Sequence, residues 1–212
     1  MILITGAARS GTSLTTQILQ RLGAHLGPAH DINALYENTA LREGVLKPFL
    51  RRHGYDPKGQ WPLPSDGKAC VPDNDFLGGL SAYWDAHMHP AAGQHPAYKD
   101  AKLALCWGAW NTAMPGAKWV IVRRNGGEIA DSCMRTGFMT AYDSHAGWIR
   151  WVEHHERQFL AMRKAGLDVI ETWPADFIKD PEAFRPVADF CGLPFDADAV
   201  RGAIDPAKFK RA

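Results

Sequence analysis

One stretch constrains this chain more than any other: an apolar tripeptide that runs into a small-residue loop and then a helix. Ile2-Leu3-Ile4 has the unbroken hydrophobicity of a strand covered on both faces, and Gly6 follows at once. Leu14, Ile18 and Leu22 then recur every four residues, the spacing of a helix that buries one stripe. Gly23 stands where such a helix ends. A strand covered on both faces needs helices on each side, so the chain is expected to be α/β, with a central parallel β-sheet flanked by helices. Val120-Ile121-Val122 reads as a second buried strand, ending at Arg123-Arg124 and Asn125-Gly126-Gly127, and Asp168-Val169-Ile170 as a third. Asn125 with Glu128 three residues on resembles a capping box and predicts a helix start.

The spacing of Trp148, Val152, His155, Phe159 and Met162 predicts a long helix over 144–164, stopped by Gly166. Asp180-Pro181 opens a further helix that carries Phe184, Val187, Ala188 and Cys191 on its apolar face. Leu35 to Leu50 is mostly helical in period, with a kink or break at Pro48. Residues 53–98 hold six prolines and little periodicity, and are expected to form a loop-rich insertion that caps the ligand site. The 212 residues suit a single domain over 1–212, and the 46% apolar content supplies its core.

Lys plus Arg number 24 against 23 Asp plus Glu, so the net charge is +1. A neutral chain is a poor coat for nucleic acid or an anionic membrane, and any anion site must be local. The longest uncharged apolar stretch, Leu103 to Trp110, is far short of the roughly 20 residues of a membrane helix. No basic leader precedes the first strand. Cys70, Cys106, Cys133 and Cys191 form no CxxC pair and read as buried thiols. Together these lead to the expectation of a cytoplasmic protein with no nucleic-acid or membrane partner.

Gly6-Ala7-Ala8-Arg9-Ser10-Gly11-Thr12-Ser13 joins the first strand to the first helix. Small residues there let backbone N–H groups converge on an anion at the helix N-terminus. The ATPase loop of this type requires GxxxxGK[ST], and here Thr12 occupies the lysine position, leaving Arg9 as the cation. A sulfuryl group carries less charge than a γ-phosphoryl, so fixed Arg, Lys and N–H donors can suffice for it. Asp168 and Glu171 flank the third strand and keep a magnesium ligand open. Arg124, with Ser132 eight residues later on the same helix face, forms a second candidate phosphate grip.

In these segments the chain resembles the sulfotransferases that use 3′-phosphoadenosine 5′-phosphosulfate (PAPS). Gly6 to Ser13 is similar to their 5′-phosphosulfate loop, and Val120 to Ser132 to their 3′-phosphate element. Tyr98 to Leu103 resembles the Lys-Asp-Pro-Arg segment of bacterial members, with Ala101 in place of the proline, and 176–195 the C-terminal helix. Proline is usual in the family where Ala8 and Gly126 stand. The resemblance implies a P-loop nucleotide-binding fold and a donor grip made of Ala8, Arg9, Ser10, Gly11, Thr12, Ser13, Arg124 and Ser132. It also implies PAPS as donor, adenosine 3′,5′-bisphosphate (PAP) as product, and no metal. The Lys-x-His motif of animal members is absent. Tyr36-Glu37-Asn38 resembles the segment that carries a catalytic glutamate in some bacterial and glycan-type members, so Glu37 is the first candidate base and His30 the second. Arg9 is expected to hold the bridging oxygen and Lys99 to assist at the sulfate end.

The implied reaction is sulfuryl transfer to a hydroxyl or amine of a small-molecule or glycan acceptor. The alternatives are a P-loop nucleoside or sugar kinase using ATP and magnesium, and a non-catalytic nucleotide-binding module. Trp61, Tyr83, Trp84 and His87 point to an aromatic, partly polar acceptor pocket. His87-x-His89 lacks a third ligand, Trp148 and Trp151 read as core, and Lys208, Lys210 and Arg211 as a solvated tail.

Overall fold

The N-terminal strand, β1 (Ile2–Thr5), occupies the middle of a five-stranded parallel sheet. The computed structural model describes residues 1–89 and 95–205. In spatial order the strands are β2 (Ala24–His25), β3 (His95–Lys99), β1, β4 (Lys118–Val122) and β5 (Val169–Thr172). The chain leaves β1 toward β2 and β3 on one side and later returns to β4 on the other, so the carboxyl end of β1 is a switch point of the topology. Open α/β sheets bind ligands at such points. Register sets the three carboxyl ends level: Ile4 pairs with Lys99 and with Val120, and Thr5 with Ile121.

The helices are α1 (Thr12–Arg21), α2 (Thr39–Leu41), α3 (Lys47–Arg52), α4 (Asn74–His87) and α5 (Trp107–Ala113), then α6 (Gly126–Met134), α7 (His145–Lys164), α8 (Pro174–Lys179), α9 (Arg185–Cys191) and α10 (Ala197–Ala203). Alternation along β1 divides the core. Leu3 faces a layer rich in aromatics, Phe49, Phe76, Trp107, Trp110 and Phe159, from α3, α4, α5 and α7. Ile2 and Ile4 face Leu14, Ile18, Phe177, Val187 and Val200 from α1 and α8–α10. A third cluster joins Ala7 to Trp148 and Trp151 and seats the loop after β1 on α6 and α7. All four cysteines are buried and unpaired. No helix among the described residues is long and apolar enough to cross a membrane.

Three expectations need correction. Residues 53–98 are not loop throughout: Asp73 caps the 14-residue α4, whose Phe76 and Leu80 enter the core, and β3 starts at His95. Among the described residues of the insertion, only Lys58, Gly59 and Gln60 line the cavities at the sheet's carboxyl edge. Residues 90–94, and Lys208, Lys210 and Arg211, lie outside the described residues. The helix expected from Leu35 begins only at Thr39, because Asn33 Oδ1 accepts from the N–H groups of Leu35 and Glu37 and folds that segment into a turn. Pro48 causes no break. A π turn, Arg42–Leu46, precedes it, and the helical path continues to Arg52.

Candidate active site

The loop after β1 is held closed by close packing. A Cβ on Gly6 would come within 2.5 Å of the Val122 carbonyl and 2.6 Å of Ser10 Oγ, so only glycine lets β1 leave the sheet here. Ser10 N–H donates to the Ala7 carbonyl at 3.0 Å, and Arg9 takes φ +74°, a left-handed conformation that costs a non-glycine residue energy. Gly11, at φ +103°, turns the chain into α1, which begins at Thr12 with no side chain capping it. The first-turn N–H groups of α1 therefore have no partner within the helix, and its dipole adds partial positive charge there. Beneath the loop, the buried Ser10 hydroxyl has no hydrogen-bond partner among the described residues.

Two cavities meet at this loop. The larger, about 530 Å³, runs from Arg9, Thr12 and Ser13 to Arg124, Ser132 and Arg135. Alternation at the end of β4 separates two arginines. Arg123 is enclosed by ion pairs to Glu156 and Glu171, while Arg124 borders the cavity. Arg124 Nη1 donates to the Arg9 carbonyl at 3.2 Å and its Nε to Glu128 at 2.7 Å. Asn125 Oδ1 caps α6 by accepting from Gly127 and Glu128 N–H, which fixes the face that carries Ser132. Arg9 Nε donates to Ser132 Oγ at 3.0 Å, so the two candidate anion-binding elements, 123 positions apart in sequence, touch. Glu171, one of the acidic residues considered for magnesium, is occupied by Arg123 and by Arg163 at 3.1 Å.

The smaller cavity, about 340 Å³, shares Arg9, Thr12, Ser13 and Leu35 with the first and extends to Glu37, Lys99 and α7. The Asn33–Asn38 turn delivers Glu37, whose Oε1 accepts from Lys99 Nζ at 3.0 Å and whose Oε2 pairs with Arg42. Burial pushes the Glu37 carboxyl up, but Lys99, Lys102 and Arg42 outweigh it and hold it at about 2. Lys99 is 3% exposed and also donates to the Leu35 carbonyl at 3.1 Å and Ser13 Oγ at 3.4 Å. Burial lowers its own pKa, and Glu37 opposes that. Lys102 pairs at 2.7 Å with Asp100, which is fully buried.

The structure thus brings Ala8, Arg9, Thr12, Ser13, Glu37, Lys99, Arg124 and Ser132 to one pair of cavities, with Gly11 in the wall and Ser10 beneath it. His30 is not among them: its side chain is 78% exposed, 3.7 Å from Asp31, and lines neither cavity. Nor do Trp61, Tyr83, Trp84 and His87 line them. Tyr83 instead donates to Asp31 and accepts from Asn38. The aromatic wall comes from Phe138 and Trp151. Sequence reasoning missed Arg42, Gln60, Arg135 and His155. The Trp151–His155 spacing on a helix already put both on one face and was the available signal. Among the described residues no group of three His, Cys, Asp or Glu is placed to hold a metal.

The sequence matches no family model and no curated protein. Its fold, by contrast, matches solved sulfotransferases. The sulfotransferase domain of the Synechococcus PCC 7002 olefin synthase superposes with a TM-score of 0.64 at 14% identity, over 97% of this chain and 77% of that one. Sulfotransferase STF1 from Mycobacterium tuberculosis H37Rv gives 0.52 at 15% identity, over 95% and 69%. A retinol dehydratase in complex with androsterone and the inactive cofactor PAP gives 0.52 at 19% identity, over 99% and 65%. The chain is a single-domain α/β protein with the P-loop-type fold of the sulfotransferases.

Proposed function

We propose that the protein is a sulfotransferase, moving a sulfuryl group from PAPS to a hydroxyl or amine of a small-molecule or glycan acceptor. One observation carries the reading: a cavity lined by two adjoining candidate anion grips, Arg9 to Ser13 and Arg124 with Ser132, meets across the loop a second cavity that holds a carboxylate. The residues suit the donor. The uncapped first turn of α1 and Arg9 suit the 5′ end, and Arg124 and Ser132 a 3′-phosphate. A solved neighbour of the same fold was crystallised with PAP. The kinase alternative is weaker, since Thr12 stands where that loop needs a lysine.

In this reading Arg9 and the α1 N–H groups hold the phosphate end and absorb the charge that develops there as the sulfur–oxygen bond to phosphate breaks. The acceptor oxygen bonds to sulfur and its proton passes to Glu37. Lys99, which touches both Ser13 and Glu37, moves toward the sulfuryl group and leaves Glu37 with fewer cations, so its proton affinity rises when the donor is bound.

A thermal-shift comparison tests the donor. PAP should stabilise the protein without magnesium, by about 2.7 kcal/mol at 100 times its Kd, and AMP far less. Equal shifts from the two would remove the 3′-phosphate site, and a larger shift from ATP with magnesium would favour the kinase.

A further inference from the structure

Part of the lining of the smaller cavity comes from α7 and the turn at 58–60, and the polar atoms there are almost all used within the protein. Trp151 Nε1 donates to the Gly59 carbonyl at 3.0 Å. Gln60 is largely employed: its amide NH₂ donates to the Phe138 carbonyl and its oxygen accepts from Thr140 and Ala141 N–H. Lys102 is paired with Asp100.

His155 differs. It lines the cavity yet is 1% exposed. Its Nδ1 lies 2.9 Å from the Trp151 carbonyl, and a carbonyl can only accept, so Nδ1 carries the hydrogen. Burial, with His154 adding to it, pushes the imidazole down to about 4 and keeps the ring neutral. Nε2 is then a bare acceptor with no partner among the described residues. Buried acceptors are normally satisfied, and one left open at a cavity wall is a place for a ligand's hydrogen.

We propose that His155 is an acceptor-binding residue whose Nε2 accepts a hydrogen bond from a second polar hydrogen of the acceptor, making the preferred acceptor a diol or amino alcohol rather than a lone hydroxyl. This rests on the sulfotransferase reading of the cavity. The reacting oxygen belongs at the other wall, where Lys99 joins Glu37 to Ser13 of the phosphate loop. The α7 wall cannot serve as the base, because a buried imidazole with His154 beside it resists becoming a cation. One wall therefore takes the reacting group and the other reads its neighbour. A site built to pair with a substrate O–H or N–H rejects analogues that lack it.

The test uses the PAP-loaded protein, calorimetry, and four rigid probes small enough for 340 Å³: phenol, catechol, resorcinol and hydroquinone. At least one diol should bind about tenfold more tightly than phenol, the scale of one neutral hydrogen bond. His155→Phe should erase that advantage and leave phenol binding in place, and His155→Gln, whose amide can both donate and accept, should restore part of it. PAP affinity, read in the cavity His155 does not line, verifies that each variant folds. If no diol exceeds phenol threefold, or if the advantage survives in His155→Phe, the assignment is overturned. Failure of PAP to bind at all would instead overturn the sulfotransferase reading.

Discussion

Replacing Glu37 with glutamine removes a carboxylate that is bonded to both Lys99 and Arg42. The group is well covered, with side-chain exposures of 12% for Glu37 and 3% for Lys99. Burial favours the protonated acid, yet the three surrounding cations hold the carboxyl at about 2 instead of its ordinary 4.5. At about 1.36 kcal/mol for each pH unit, that displacement is worth about 3 kcal/mol to the folded state. Removing one partner of a buried pair costs about 3–5 kcal/mol, and Lys99 can recover part by shedding its proton. Glu37→Gln should therefore lower the unfolding free energy at pH 7 by about 2–4 kcal/mol. The sign with pH follows from a depressed carboxyl: its stabilisation is complete above about 4.5 and disappears as pH falls toward 2. Urea denaturation at stepped pH should show wild type losing its advantage over Glu37→Gln across that window. In a turnover assay the variant should lose about 10²–10⁴-fold, as removal of a general base does, while PAP affinity holds. A variant within about 0.5 kcal/mol of wild type at pH 7, with a parallel acid limb, would refute the buried triad. Undiminished turnover would remove Glu37 as the base.

Arg124→Ala should weaken PAP binding about 10- to 100-fold by calorimetry and scarcely change AMP binding, since a charged contact to phosphate contributes about 1.5–3 kcal/mol. Ser132→Ala should cost less, about 0.5–1.5 kcal/mol, and equal losses for PAP and AMP in either variant would place the grip elsewhere. Gly11→Ala puts a Cβ 2.7 Å from Pro174 Cγ at φ +103°. It should destabilise by about 2–4 kcal/mol and impair donor binding, and an unchanged Tm would show that this turn tolerates a side chain.

The parts of the fold legible in the sequence are those whose signal is local. β1, β4 and α7 carry their own apolar runs or stripes, and Gly6 to Ser13 announces a loop through composition alone. β3 could not be read this way. His95-Pro96-Ala97-Tyr98-Lys99 has no apolar run, and it becomes a strand because β1 pairs with it along Ala97, Tyr98 and Lys99 while the short β2 meets His95 and Pro96. Gly78 and Gly79 mask α4, which forms because Asp73 caps it and Phe76 and Leu80 reach the core. The site divides similarly. Each candidate anion grip is visible as a local motif, but the Arg9–Ser132 contact depends on β1 and β4 being neighbours. His155 looked like one more member of a buried stripe, and only the cavity beside it gives its Nε2 a different meaning.

The loop that separates the two cavities is also thin. Arg9, Thr12, Ser13 and Leu35 face both sides, so a ligand's end in one chamber lies against the same residues as a ligand's end in the other. That geometry favours tethering. A compound joining an adenosine bisphosphate to an acceptor fragment through a link short enough to cross this wall would turn the second association into an intramolecular one. With short flexible links the effective concentration is about millimolar, so even a fragment that binds weakly by itself adds measurable affinity. The wall then acts as a ruler, because affinity plotted against link length peaks where the span between the chambers is matched.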